Sequence, residues 1–197
     1  MTNRRGFLGM VGAGAALPLL PELGIAESLV PVSADWDMSW VEKVTGRHRA
    51  VFDTPGLDAG LPLLRACIWG PQWREVYGSD ATTSAVLVLR AGGFAYAMND
   101  ATWDRFDIAR ETGLKLFHGA PATPGNPVRT ARSDVPERFR RFNIEQFIAD
   151  GGVVLACNLT FSGQYVPRFQ NAGNLTPEAA REEALGHLLP GVTLMPS

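Results

Sequence analysis

The stretch GGVVLACNLTFSG, residues 151–163, decides the fold. Val153, Val154, Leu155 and Ala156 form an uninterrupted apolar run behind the Gly151-Gly152 pair. A short apolar run bounded by glycines reads as a strand buried on both faces of a parallel sheet. Cys157 follows at its carboxyl end, and open α/β sheets gather ligand and reaction sites outside the carboxyl ends of their strands. Asn158, Leu159 and Thr160 can then form the first turn of a helix, whose free backbone N–H groups favour a thiolate over a thiol. An isolated cysteine in such a place also reads as a small apolar residue closing a core strand.

Three more strands are expected around this one. Ala50–Phe52 is the first, closed by Asp53-Thr54-Pro55-Gly56; Ser84–Leu89 is the second, with Arg90 at its carboxyl end and a Gly92-Gly93 turn behind it; Val192–Met195 is the last. Helical spacing covers Leu57–Trp69, which Gly70-Pro71 is expected to break before a second short helix, Gln72–Tyr77. Further helices are expected near Asn99 or Asp100, over Ile144–Asp150, over Leu159–Gln170 with an interruption at Gly163, and from Thr176-Pro177-Glu178 onward. Strands alternating with helices predict an α/β fold with one parallel sheet. Residues 114–136 are rich in Gly, Pro and Thr, and PATPGNP at 121–127 reads as a long loop of the kind that is functional or disordered.

With 197 residues, 46% of them hydrophobic, the chain can bury one core without metal or disulfide staples. A net charge of −2 gives no basic footprint, so nucleic acid is not an expected partner. The first residues, MTNRRGFLG, place Arg4 and Arg5 ahead of a weakly hydrophobic, Gly/Ala-rich stretch, and Gly24-Ile25-Ala26 offers small residues at a cleavage site. That pattern resembles a bacterial twin-arginine export signal over residues 1–26, with a lead-in at 27–46 and an α/β domain at 47–197. The expected destination is the periplasm, with no membrane anchor once the signal is removed. In the lead-in, Trp36 and Trp40 are spaced to anchor one short helical turn. Cys67, with Leu61, Leu64 and Ile68 on its helical face, reads as a structural thiol; by count alone it could also pair with Cys157 in an oxidising compartment.

FDTPG at 52–56, VLVLRAGGFAYAMND at 86–100, ACNLTFSG at 156–163 and LLPGVTLMPS at 188–197 together resemble the DsrE/DsrF-like family of small sulfur-relay proteins. The resemblance runs from about Arg47 to the end of the chain. It implies a flavodoxin-like parallel sheet with helices on both faces, assembly as trimers or hexamers, and a strand-end cysteine that accepts sulfur as a persulfide from one protein and passes it to another. That role falls on Cys157. Two features depart from the family pattern: Ala91 follows Arg90 where relatives commonly have histidine, and relatives continue past the terminal PS into a further helix and strand.

Asp53, Arg90, Asn99, Asn126 and Asn158 are the polar residues expected at the same rim as Cys157, where a guanidinium could hold an anion or stabilise a thiolate. Each alone reads equally as a cap, a turn residue or a surface ion-pair partner. A binding or assembly protein that holds a small anion at this rim is therefore the alternative to sulfur transfer. His48, His118 and His187 have no metal-ligand spacing and read as surface or cap residues. No nucleotide-binding or serine-hydrolase motif is present, and no cofactor or metal is expected. Trp73, Tyr77 and Trp103, near turns, read as exposed aromatics that would favour assembly.

Overall fold

The computed structural model describes residues 36–119 and 124–196. The expected export signal and cleavage site, the start of the expected lead-in and residues 120–123 of the loop lie outside the described residues.

The strands are β1 (His48–Thr54), β2 (Thr83–Leu89), β3 (Val153–Cys157) and β4 (Val192–Met195), hydrogen-bonded in the order β1-β2-β3-β4. All three pairings are parallel, with Val51 opposite Val86, Leu87 opposite Val154 and Leu155 opposite Thr193. The α/β class and the single parallel sheet are those read from the sequence. The chain advances by one strand at each crossover, without the reversal of a flavodoxin-like 2-1-3-4-5 order. Right-handed crossovers in a straight order return over one side of the sheet.

The packing agrees with that rule. Leu87, Leu89, Val154 and Ala156 share one buried cluster with Leu63 and Ala66 of α1 (Leu61–Tyr77), Trp103 of α2 (Asp100–Arg105) and Ile108 of α3 (Ile108–Thr112). Phe147 of α4 (Ile144–Ala149) joins them from further along the chain. Beyond β3, α5 (Asn158–Thr160) leads through a π turn (Phe161–Tyr165) into α6 (Val166–Gly173), and α7 (Pro177–Gly186) follows; Phe169, Ala180 and Ala184 complete the cluster. On the other face Val86, Val153 and Leu155, with Val88 and Met195, pack against Trp40 and Val44. Trp40 belongs to a 3-10 turn, Ser39–Lys43, that begins after Trp36, so of the two tryptophans expected to anchor the lead-in it is Trp40 that packs against this face of the sheet. Helices on both faces are thus present unequally: the α-helices share one face, and among the described residues only this turn covers the other. An open, almost wholly apolar groove of about 380 Å³ remains beside it.

Helix α1 corrects one expectation. It runs unbroken through Gly70 and Pro71, where two helices were expected. An interior proline costs about 3 kcal/mol, and packing across it offsets that cost. Trp69, Trp73 and Tyr77 are spaced by four and stack in sequence, with centroids 5.6 and 4.5 Å apart, while Phe52 of β1 meets Trp69 at 6.3 Å. Gly70 lets the helix close on β2, since a Cβ there would lie 2.9 Å from the Thr83 hydroxyl. The buried face of α1 is Leu63, Ala66 and Gly70, one position away from the face read in the sequence, and Cys67 is partly buried beside it.

Trp103 is also corrected: it is 1% exposed, and its indole N–H donates to the Ala95 carbonyl at 2.8 Å. Tyr77, by contrast, is 61% exposed. A 3-10 helix over Ala91–Ala97 precedes α2, which starts where the Asn99 cap signal put it. Both cysteines are free thiols, so the disulfide allowed by count is not formed. Cys67 borders a cavity of about 410 Å³ with Thr83, Gly151 and Gly152, at the amino ends of the strands, whereas Cys157 closes the carboxyl end of β3.

Candidate functional site at the carboxyl rim of the sheet

Strand alternation places three of the expected residues in a row. Val153 and Leu155 face away from the α-helices, and Cys157 follows them at the same period; Val86 and Val88 lead in the same way to Arg90, and Val51 to Asp53. Leu89 pairs with Ala156, so Arg90 and Cys157 leave the ends of neighbouring strands side by side. The Arg90 N–H donates to the Thr54 carbonyl at 3.1 Å, which ties it to the end of β1 as well.

Arg90 clasps Asp53 in a two-pronged pair, Nε to Oδ1 at 2.7 Å and Nη2 to Oδ2 at 2.6 Å. Both side chains are 48% exposed, so the pair adds little to stability and acts chiefly to hold the guanidinium in place. The hydrogen bond from Arg90 keeps the Asp53 carboxyl below its usual range. The same contact raises Arg90, and the charge of Cys157 adds to it in the same direction. Arg90 is thus paired with a carboxylate and lies within electrostatic reach of the thiol at the end of the neighbouring strand.

Cys157 caps the helix that follows it. Its Sγ accepts from the Thr160 N–H at 3.4 Å, the contact a serine or aspartate makes at an ordinary N-cap. Thr160 is buried, and its hydroxyl accepts from the Ala91 N–H at 3.0 Å, so one residue joins the cysteine turn to the segment behind Arg90. Ala91 has φ of +47°, a left-handed conformation rarely taken by a residue with a side chain. Gly93, two residues on, cannot be replaced without movement, because a Cβ there would lie 2.1 Å from the Thr54 carbonyl oxygen. The turn after Asn158–Thr160 is a π turn, a helix irregularity frequent at functional sites.

The remaining expected residues have other partners. Asn158 is beside Cys157, but its side-chain oxygen accepts from Arg181 of α7 at 3.3 Å. Asn99 caps α2 through the Thr102 N–H at 3.1 Å, and its oxygen lies 3.0 Å from His187 Nδ1. Asn126 is 1% exposed and organises the loop: its amide donates to the Tyr96 and Met98 carbonyls at 2.9 and 2.7 Å and its oxygen accepts from the Val128 N–H at 3.1 Å. The structure thus brings Asp53, Arg90, Cys157 and Asn158 to one rim and commits Asn99 and Asn126 to the protein's own backbone.

Thr160 was read only as part of the first turn behind Cys157, without its hydroxyl's role, and Arg181 was not singled out in the sequence. The Thr160 N–H at the cysteine follows from that turn, whereas its hydroxyl's bond from the Ala91 N–H joins segments 69 residues apart and has no local signature. Arg181 also reaches Ser162 Oγ at 3.0 Å and lies 5.2 Å over the Phe161 ring, contacts that depend on how α7 packs and have no local signature.

Cys67 is a different kind of thiol. Burial, with Asp150 nearby, pushes it up to about 12, so it stays protonated in any physiological medium. Among the described residues no group of three His, Cys, Asp or Glu side chains is placed to hold a metal ion, and no helix is long and apolar enough to cross a membrane.

Fold and site define an α/β protein with a strand-end cysteine at a helix start, flanked by an arginine-aspartate pair. No family model, curated protein or solved structure matches the chain.

Proposed function

We propose that the protein handles sulfur through Cys157, taking a sulfur atom from a persulfide donor and passing it to an acceptor thiol. The observation that carries this reading is the capping contact from the Thr160 N–H to Cys157 Sγ beside the guanidinium of Arg90. A backbone N–H and a positive charge both favour thiolate, the nucleophilic form. The Cys157 thiolate attacks the outer sulfur of a donor R–S–SH; the donor S–S bond breaks, R–S⁻ leaves, and Cys157 becomes the persulfide. No oxidant is consumed. An acceptor thiolate then attacks the outer sulfur of that persulfide and restores the Cys157 thiolate. The resemblance to the DsrE/DsrF-like family supports the same assignment.

An anion-binding rim is less well supported. Arg90 is occupied by Asp53, and the Asn99 and Asn126 side chains have intramolecular partners. An anion would have to displace the Asp53 carboxylate. Replacing Arg90 with glutamine tests its part in the sulfur reading. If Arg90 stabilises the thiolate, iodoacetamide should modify Cys157 several-fold more slowly at neutral pH in Arg90→Gln. An unchanged rate would assign Arg90 to Asp53 alone.

Export belongs to the same proposal, motivated by the Arg4-Arg5 pair ahead of a Gly/Ala-rich stretch. Replacing both arginines with lysine is expected to leave unprocessed protein in the cytoplasm. An undiminished processed pool in the periplasm would remove the twin-arginine assignment.

A further inference from the structure

Strand β1 is the outer strand of the sheet, paired with β2 along one edge and with no strand along the other among the described residues. The His48 N–H donates to Thr82 and the Thr54 carbonyl accepts from Arg90, both at 3.1 Å, so the backbone groups of the even-numbered residues turn inward. Those of Arg49, Val51 and Asp53 therefore point out of the free edge, as a template for another strand. The same three side chains lie on the face away from the helices, and Val51 is 67% exposed.

These residues are symmetric. Arg49-Ala50-Val51-Phe52-Asp53 places opposite charges two positions either side of the exposed valine. We propose that a second copy of this chain pairs antiparallel along β1, about a two-fold axis at Val51, so that the two sheets become one. In that register Arg49, whose Nε donates to the Gly46 carbonyl at 3.0 Å, brings its other guanidinium N–H groups opposite the Asp53 of the second copy. That carboxylate would accept from them alongside its own Arg90, and Val51 faces its own equivalent. The residues that point outward are then the ones that exchange hydrogen bonds in narrow pairs. A slip of two residues in one direction would require an N–H from Pro55, which has none, and in either direction it would oppose valine to a charge.

Edges that proteins protect carry a proline, a bulge or unmatched charge at their centre. Here the centre is valine, and the flanking charges are matched to each other's images. Behind the edge the His48 ring packs with its centroid 5.1 Å from that of Trp73 and 6.0 Å from that of Tyr77, which is itself 61% exposed. Pairing also sets the apolar grooves of the two copies side by side across Val51.

The test is the mass of the purified protein by sedimentation at micromolar concentration, with two charge reversals. The parent protein is expected to sediment as a dimer. Arg49→Asp and Asp53→Arg should each sediment as monomers, with dissociation constants weakened at least about tenfold by the like charges placed opposite each other. An equimolar mixture of the two variants should recover the dimer, since each supplies the charge the other needs. Asp53→Arg also removes the partner of Arg90, so Arg90→Gln is the control and should remain dimeric. Val51→Arg, at an exposed position, places two like charges at the axis and should be monomeric while keeping the parent circular dichroism spectrum. A monomeric parent, a trimer of the kind the family resemblance implies, a dimer that survives both reversals, or a mixture that stays monomeric would overturn the proposal.

Discussion

Replacing Asn126 with alanine is expected to destabilise the protein by about 3–5 kcal/mol, a large part of the stability of a domain this size. The substitution removes two donors and one acceptor, leaving the Tyr96 and Met98 carbonyls and the Val128 N–H without partners in a buried site. Each orphaned group costs on the order of 1–3 kcal/mol, reduced where water can enter. The melting temperature should fall by roughly 10 °C. Asn126→Asp should be no better, since it presents a carboxylate to two carbonyl oxygens. A loss below about 1 kcal/mol in the alanine variant would mean that the loop does not depend on this side chain.

The second large effect concerns the two thiols. Cys67, held up at about 12 by burial, should be inert to iodoacetamide in the folded protein at neutral pH, while Cys157 reacts. Cys157→Ser should therefore abolish alkylation of the native protein, and Cys67→Ser should leave rate and pH profile unchanged. The sign for Cys67 is that of a raised group. Its stabilising contribution is complete below the ordinary thiol range and is lost as the pH climbs from there toward 12, because the unfolded chain ionises first. Alkaline destabilisation should therefore be smaller in Cys67→Ser.

The sheet was legible because its signals are local. Val153–Cys157 and Thr83–Leu89 are apolar runs between glycines or polar turns, and they became neighbouring strands. The Asn99 and Thr176 caps were equally local, each accepting from the N–H three residues on. What the sequence hid was set by tertiary packing. Pro71 is a breaker by propensity, and only the stack of Trp69, Trp73 and Tyr77 against β1 explains why α1 continues through it. Trp103 stands near a turn yet is buried, because the Ala95 carbonyl offers its indole a partner. At the rim, strand ends suggested Asp53, Arg90 and Cys157, and alternation and register bring the three together there because both follow from the strands themselves. The amides could not be sorted in advance: Asn99, Asn126 and Asn158 are alike in sequence, and only the fold decides that two of them serve the backbone and one meets Arg181.

The sulfur assignment stands or falls on whether Cys157 takes up a sulfur atom. The purified protein is incubated with a low-molecular-weight persulfide, capped by alkylation, digested and weighed peptide by peptide. The peptide that contains Cys157 is expected to gain about 32 Da, one sulfur atom, and to lose it on addition of a thiol acceptor, while the Cys67 peptide is unchanged. A Cys157 that gains no sulfur and stays unreactive in the folded protein, with Cys157→Ala affecting stability alone, would contradict the account.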